Sequence, residues 1–261
     1  MDDLPSQEKR LAFYPLTFFK QRFKLISLSF FFLVLLLIIV AFLFSFLTSP
    51  NLPPREIKIS NQTGNSLAIS WVTNRSVKQK IFYSQTPISL SQLFLAKVFP
   101  SQLNLASDDF GLIETTAHHI TLKDLEPETQ SFFVITNGWR FYQLDSQNQS
   151  FPTAKTVPPL ASPPSPSPCY GTVLDFAQEK PLDPVVVYLS SKDSNLISAF
   201  TNSAGNYTFD LASLRSADLQ EPVRLNQNSN LLLEFQGGLW GTGKQPLYLK
   251  SCQPIKTMIL E

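Results

Sequence analysis

Histidine, cysteine and glycine are scarce in this chain, and each shortage closes off a class of chemistry. Its 261 residues hold two histidines, His118 and His119, and two cysteines, Cys169 and Cys252. Adjacent histidines on a strand point to opposite faces, and a zinc site needs three or four convergent ligands, so no metal is expected. One histidine is expected in solvent or a loop and the other half-buried. No C-x-x-C occurs, and two thiols without nearby histidines cannot fill a zinc site. The nine glycines build no phosphate-cradling loop, and neither G-x-S-x-G nor H-E-x-x-H is present. Charge is thin as well: 16% of residues are charged and the net charge is +1. No basic stripe is offered to nucleic acid. The sequence therefore points to no catalytic residue, no cofactor and no enzyme.

What the chain does have is a long apolar run. From Leu25 to Leu47, nineteen of twenty-three side chains are Leu, Ile, Val or Phe and none is charged. At roughly 1.5 Å per residue such a helix is about 35 Å long, enough for a hydrocarbon core of about 30 Å. Lys9, Arg10, Lys20, Arg22 and Lys24 precede it, whereas the next twenty residues carry only Arg55 and Lys58. The positive-inside rule keeps the N-terminus cytoplasmic and places the rest outside. The rival reading is a cleaved signal peptide, whose apolar region usually spans about 7–15 residues and ends in small residues. Here the run is longer and ends Phe44-Ser45-Phe46-Leu47-Thr48-Ser49-Pro50. An uncleaved single-pass anchor is expected, with residues 1–24 as a cytoplasmic tail whose aromatic and basic side chains suit the headgroup level.

After Pro50, Pro53 and Pro54 the pattern becomes alternation. Ile57 and Ile59 mark one strand; Leu67, Ile69 and Trp71 share a face of the next, with a turn at 61–65 between them. Further strands are expected at Ile81-Phe82-Tyr83, at Ile120 with Leu122, and at 132–135, and one or two helical turns over Ser91 to Phe99. Short strands without long helices indicate a β-sandwich. The string P-x-x-I-x-I…L-x-I-x-W, with Trp71, and H-H-I-T-L-x-x-L-x-P-x-T at 118–129 resemble a fibronectin type III domain over 54–153. The likeness extends to the variant at the N-terminus of purple acid phosphatases. It implies a buried Trp71 and a corner shaped by Leu125, Pro127 and Thr129. Where that family carries a corner Tyr, this chain has Ser131, which puts the corner hydrogen bond in question. The family's dimetal motifs, G-D-x-x-Y and G-N-H-E, are absent.

Residues 154–168, AKTVPPLASPPSPSP, contain six prolines between Pro158 and Pro168. Proline fixes φ and removes a donor, so an extended, semi-rigid spacer between two domains is expected. Beyond it, G-x-V, P-L, V-x-V-x-L and T-x-S-x-G-x-Y-x-F between 171 and 209 resemble the carboxypeptidase regulatory-like domain, a small prealbumin-like β-sandwich. Gly205 is expected in a hairpin turn, with Tyr207 and Phe209 in the core. Late strands are expected at 231–235, 246–249 and 255–260. Cys169 and Cys252 fall in the first strand and near the last of residues 169–261. On the outer side of a membrane they suit a disulfide; the alternative is two buried free thiols. Sequons stand at Asn61, Asn74, Asn148 and Asn206.

The expected fold class is all-β: two small β-sandwiches in tandem behind one N-terminal transmembrane helix. Two functions fit. One is a non-catalytic surface protein, bound to the bilayer through Leu25 to Leu47 and meeting an extracellular protein or glycan partner. Trp139 with Phe141 and Tyr142, or Trp240 among glycines, would be such contacts. The other is an accessory chain of an extracellular hydrolase such as a metallophosphatase or peptidase.

Overall fold

Fifteen strands and two α-helices arise from these patterns in a computed structural model that describes residues 16–99, 103–111, 113–160, 165, 167–177, 180–182 and 184–260. Residues 1–15 of the expected tail, and 161–164 and 166 of the expected spacer, lie outside the described residues. The fold class is as expected: β-sandwiches behind one N-terminal apolar helix.

Helix α1, Leu16–Thr48, begins nine residues before the apolar run, within the stretch read as tail. The physical reason is local: Pro15 is the last proline before the run, and no glycine interrupts residues 16–48. Its Ser27–Thr48 portion is the one helix among the described residues long and apolar enough to cross a membrane.

The second compact unit is Pro50–Glu261. Its first sandwich has one sheet of β1 (Arg55–Ser60), β2 (Leu67–Val77) and β5 (Thr115–Leu122), in the order β1-β2-β5. Facing it lie β4 (Asn104–Ser107), β3 (Lys80–Ser84), β6 (Gln130–Thr136) and β7 (Phe141–Tyr142), with β8 (Ala154–Lys155) also on β6. Leu67, Ile69 and Trp71 alternate inward against Ile81, Ile120, Leu122 and Ile135. The residues after α1 belong to this sandwich: Asn137 Nδ2 donates to Pro50 O (3.0 Å), Leu52 N to Tyr142 Oη (2.9 Å), and Gln79 Nε2 to Leu52 O (3.2 Å).

Helix α2, Leu90–Val98, covers the outer face of the β3–β6 pair, where Leu93 and Ala96 pack with Phe82 and Val134. A capping box starts it: Ser89 Oγ accepts from Gln92 N, and Gln92 Oε1 accepts from Ser89 N (2.8 Å).

The second sandwich pairs β10 (Val186–Ser191), β11 (Ile197–Phe200), β13 (Asn230–Gln236) and β14 (Thr242–Tyr248) in the order β11-β10-β13-β14. Its other sheet is β12 (Asn206–Asp210), β9 (Pro168–Asp175) and β15 (Met258–Leu260), in the order β12-β9-β15. Tyr207 and Phe209 enter the core, as expected. Gly205 (φ +71°) turns the chain, but from β11 in one sheet to β12 in the other, so the turn is a crossover and not a hairpin. The expected last two strands are shifted: β14 begins at Thr242 and β15 only at Met258, because Leu249–Ser251 forms a short 3-10 turn between them. The disulfide Cys169–Cys252 is formed, closing a sequence separation of 83 residues beside the parallel pair β9–β15.

The 154–168 segment departs from the spacer expectation. Ala154 and Lys155 are β8, and Thr156 and Val157 are buried. Pro158 O accepts from Arg215 Nη1 of the second sandwich (2.7 Å), and Pro159 lies against Gly64 of the first. A polyproline stretch spaces domains only when their surfaces have no reason to meet, and here they do.

Candidate functional site

Alternation along β2, β5 and β10 breaks down in burial: Leu67 to Thr73, Thr115 to Ile120 and Val186 to Leu189 are buried at every position. Strands covered on both faces have a second layer against them. The inward residues fill the sandwich cores. The outward ones, Val72 and Ala117 of the first sandwich and Val186 and Tyr188 of the second, form a cluster of their own. The sheets β1-β2-β5 and β11-β10-β13-β14 are thus packed face to face, and their touching surfaces are polar as well as apolar.

Tyr188, fully buried, sits at the middle of this seam. Its Oη lies 2.8 Å from Ser70 Oγ and 2.6 Å from Gln236 Oε1. Gln236 Nε2 in turn donates to Glu56 Oε2 (2.7 Å). Burial pushes the phenol's pKa well up, so it stays neutral at any physiological pH. Lys58 Nζ stands 4.2 Å from the Tyr188 ring and 2.7 Å from Glu234 Oε2, and Lys244 Nζ is 2.7 Å from the other oxygen of Glu234. These two lysines, Lys244 first, hold the Glu234 carboxyl below its usual range.

Beside it Asn61 and Ser198 join the sandwiches like two strands. Asn61 Nδ2 donates to Ser198 O (2.9 Å), and Ser198 N donates to Asn61 Oδ1 (2.8 Å). Asn61 takes φ +51°, a conformation asparagine tolerates better than most residues. Ser198 Oγ is 2.7 Å from Ser60 Oγ and 2.8 Å from His119 Nε2. His119 Nδ1 is 2.7 Å from Asp109 Oδ2, which also accepts from Thr121 Oγ1 (2.7 Å). Burial pushes Asp109 up, but the hydrogen bonds from His119 and Thr121 outweigh it and hold the carboxyl below its usual value.

Ser198, His119 and Asp109 stand in the order of a hydrolase triad, but the serine is otherwise engaged. A hydroxyl offers one donor and two acceptor positions, and Ser60, Asn61 Nδ2 (3.0 Å) and His119 fill all three. Phe200 packs against both His119 (5.4 Å) and Phe110 (4.9 Å) on the same side. The arrangement is a clamp across the seam.

Solved structures that resemble the chain share few residues with it. The sensor domain of the anti-sigma factor RsgI4 of Pseudobacteroides cellulosolvens is 22% identical, over 44% of this chain and 95% of that one, with TM-score 0.26. The FN1–FN3 domains of chicken CNTN1 are 14% identical, over 78% of this chain and 67% of that one, with TM-score 0.27. The T6 backbone pilin of serotype M6 Streptococcus pyogenes is 10% identical, over 77% and 52%, with TM-score 0.24. No family model matches the chain, and no curated protein is similar to it. The sandwich architecture therefore stands on the chain's own strand order.

The two histidines do face opposite sides of β5, but both are buried, against the expectation of one in solvent or a loop. His118 stacks on Trp71 in the core (5.1 Å, 17°) with Nδ1 2.8 Å from Asp108 Oδ2, while His119 serves the seam. Each histidine is held by one of two adjacent aspartates ten residues earlier. That spacing, D-D then H-H, was a signal in the sequence. Among the described residues no three His, Cys, Asp or Glu side chains are grouped to hold a metal.

Of the aromatic contacts, Tyr142 is buried and bonded to Leu52, and Trp139 lies half-buried beneath Lys97 Nζ (4.9 Å from its ring). Trp240 is 45% exposed on the 3-10 turn Gly238–Trp240. Gly238 (φ +63°) presses that turn onto Thr116, leaving no room for a Cβ, and Leu239 N donates to Thr116 Oγ1 (3.2 Å). The corner lacking its tyrosine is closed by Thr156, whose Oγ1 donates to Glu126 O and accepts from Thr129 N (3.0 Å). Sequence reasoning missed Thr156 because the hydroxyl comes from a segment read as spacer.

Proposed function

We propose that this chain is a non-catalytic, single-pass membrane protein that presents its paired sandwiches outside the cell for binding, adhesion or envelope assembly. The N-terminus is cytoplasmic, by the flanking charges. The observation that carries this reading is the closure of two sandwiches onto one another by a saturated polar seam, in a chain that carries an apolar helix near its N-terminus. Such a seam fixes the spacing of the loops and edges through which β-sandwiches bind, and leaves Ser198 and His119 no open coordination for substrate. The first sandwich is read as the fibronectin type III variant and the second as a carboxypeptidase regulatory-like domain; the sheet orders and the buried Trp71, Tyr207 and Phe209 support both. Leu239, Trp240 and Tyr248 are exposed on the second sandwich and suit an extracellular protein or glycan.

Protease shaving of intact cells, read with a tag at each end, tests the reading. The C-terminal tag should be lost and the N-terminal one protected, and crosslinking to an outer partner should weaken in Trp240→Ala. Protection of both tags, or release of an intact outer part, sinks the topology.

A further inference from the structure

One face of the first sandwich is apolar and exposed among the described residues. On α2, Leu93 and Ala96 point into the domain, whereas Leu90 (61% exposed), Phe94 (52%), Leu95 and Phe99 point out. Phe94 meets Phe141 edge-on (5.9 Å), and Lys97 Nζ lies over Trp139 and 4.7 Å from the Phe141 ring. Lys97, Lys78 and Lys80 line one hollow beside the helix. Asp145, a carboxylate lining the groove that Leu90 also lines, is turned onto its own loop, accepting from Gln147 N and Gln149 N (2.8 Å each). The exposed face is therefore aromatic and aliphatic with a basic rim, the composition that favours the headgroup boundary of a bilayer.

The chain's connectivity says which bilayer. Ser49 closes the helical unit, and the next residue, Pro50, is already held by Asn137. Asn51 and Pro53 line a groove together with Leu90, Phe141 and Tyr142. This edge therefore includes the first four residues after Ser49 in sequence, each with at most about 3.6 Å of reach.

We propose that the α2 face, with the Trp139 loop and residues 50–53, rests on the outer leaflet of the membrane that α1 crosses, with Phe94 and Leu90 at the headgroup boundary and Lys78, Lys80 and Lys97 over anionic lipid. This rests on the anchor reading above. The test uses the full-length chain, with its two native cysteines bonded, carrying Phe94→Cys or, separately, Leu95→Cys or Tyr248→Cys. Each new thiol bears an environment-sensitive fluorophore, and the protein is reconstituted in phosphatidylcholine vesicles with or without phosphatidylglycerol. Labels at 94 and 95, placed about 5–10 Å into the interface, should emit to the blue of the label at 248 and be quenched about twofold by doxyl lipids, more strongly with phosphatidylglycerol. If the chain floats with vesicles after an alkaline wash but both labels emit as in water, the docking is overturned and the anchor stands. If they are shielded yet insensitive to doxyl lipid, a second copy or another protein covers the face, and lipid docking is again overturned. If the chain does not float, the anchor reading fails and the docking with it.

Discussion

Replacing Tyr188 by Phe removes one oxygen atom and tests whether the seam couples the sandwiches. The ring stays and its packing among Val72, Ala117 and Val186 is kept, so no cavity term enters. What is lost is the bond to Gln236 Oε1 and the contact with Ser70 Oγ, both on buried residues. A neutral hydrogen bond contributes about 0.5–1.5 kcal/mol net, and an abandoned buried acceptor costs about 1–3 kcal/mol. The expected loss is about 2–3 kcal/mol. In a folded unit of this size, about 2–4 °C per kcal/mol turns that into a fall in Tm of about 4–12 °C. Thermal and urea unfolding of the full chain in micelles, followed by far-UV circular dichroism and by tryptophan fluorescence, reads it. The two probes should coincide in the wild type, since Trp71 and Trp240 sit on opposite sides of the seam, and should separate in the variant. Combining it with Ser70→Ala should reveal a coupling of about 0.5–2 kcal/mol. A loss within about 0.5 kcal/mol, the range of ordinary surface changes and of a Tyr248→Phe control, would refute the coupling.

Three further outcomes are expected. Because the Asp109 carboxyl is held below its usual value when folded, it adds stability above the unfolded carboxylate pKa of about 4, and that stability drains away as pH falls through the lower folded value; Asp109→Asn should flatten the acid limb of a stability–pH curve while weakening the seam at neutral pH. Removing the disulfide in Cys169→Ser/Cys252→Ser releases a loop of 83 residues, which costs about 4.5 kcal/mol in the chain-entropy model; equal urea midpoints with and without reductant would count against it. Thr156→Val strips the hydroxyl from the corner and leaves Glu126 O and Thr129 N to find other partners; a loss of about 1–3 kcal/mol is expected in the same urea experiment, and an unchanged midpoint would mean that water closes the corner as well.

The inward half of this molecule was legible and the outward half was not. Trp71, Ile69, Tyr207 and Phe209 alternate with polar neighbours, and period two suffices to place them in a core. The same rule assigns Ser60, Ser70, His119 and Ser198 to water, because small polar side chains carry no sign of a second layer above them. Only Tyr188 within an unbroken Val-Val-Val-Tyr-Leu run hinted that a strand was covered on both faces. The proline-rich stretch misled for a related reason: composition reports stiffness, but whether two domains meet depends on side chains far away in sequence, such as Arg215 and its bond to Pro158. Likewise Cys169 and Cys252 were readable from strand order, whereas Thr156 was not, since its partners are backbone atoms that any sequence would supply.

The way the sandwiches are joined decides how the chain can be divided. Domains strung on a flexible tether can be cut out, traded between proteins and expressed alone. Here a cut after Leu160 would open Val72, Ala117, Val186 and Tyr188 to water on two raw surfaces at once, part Asn61 from Ser198 and break the bond from Gln236 to Glu56. Neither half is a portable part: the smallest piece that keeps its surfaces closed is the pair, and in any rearrangement of such a gene the two would have to travel together.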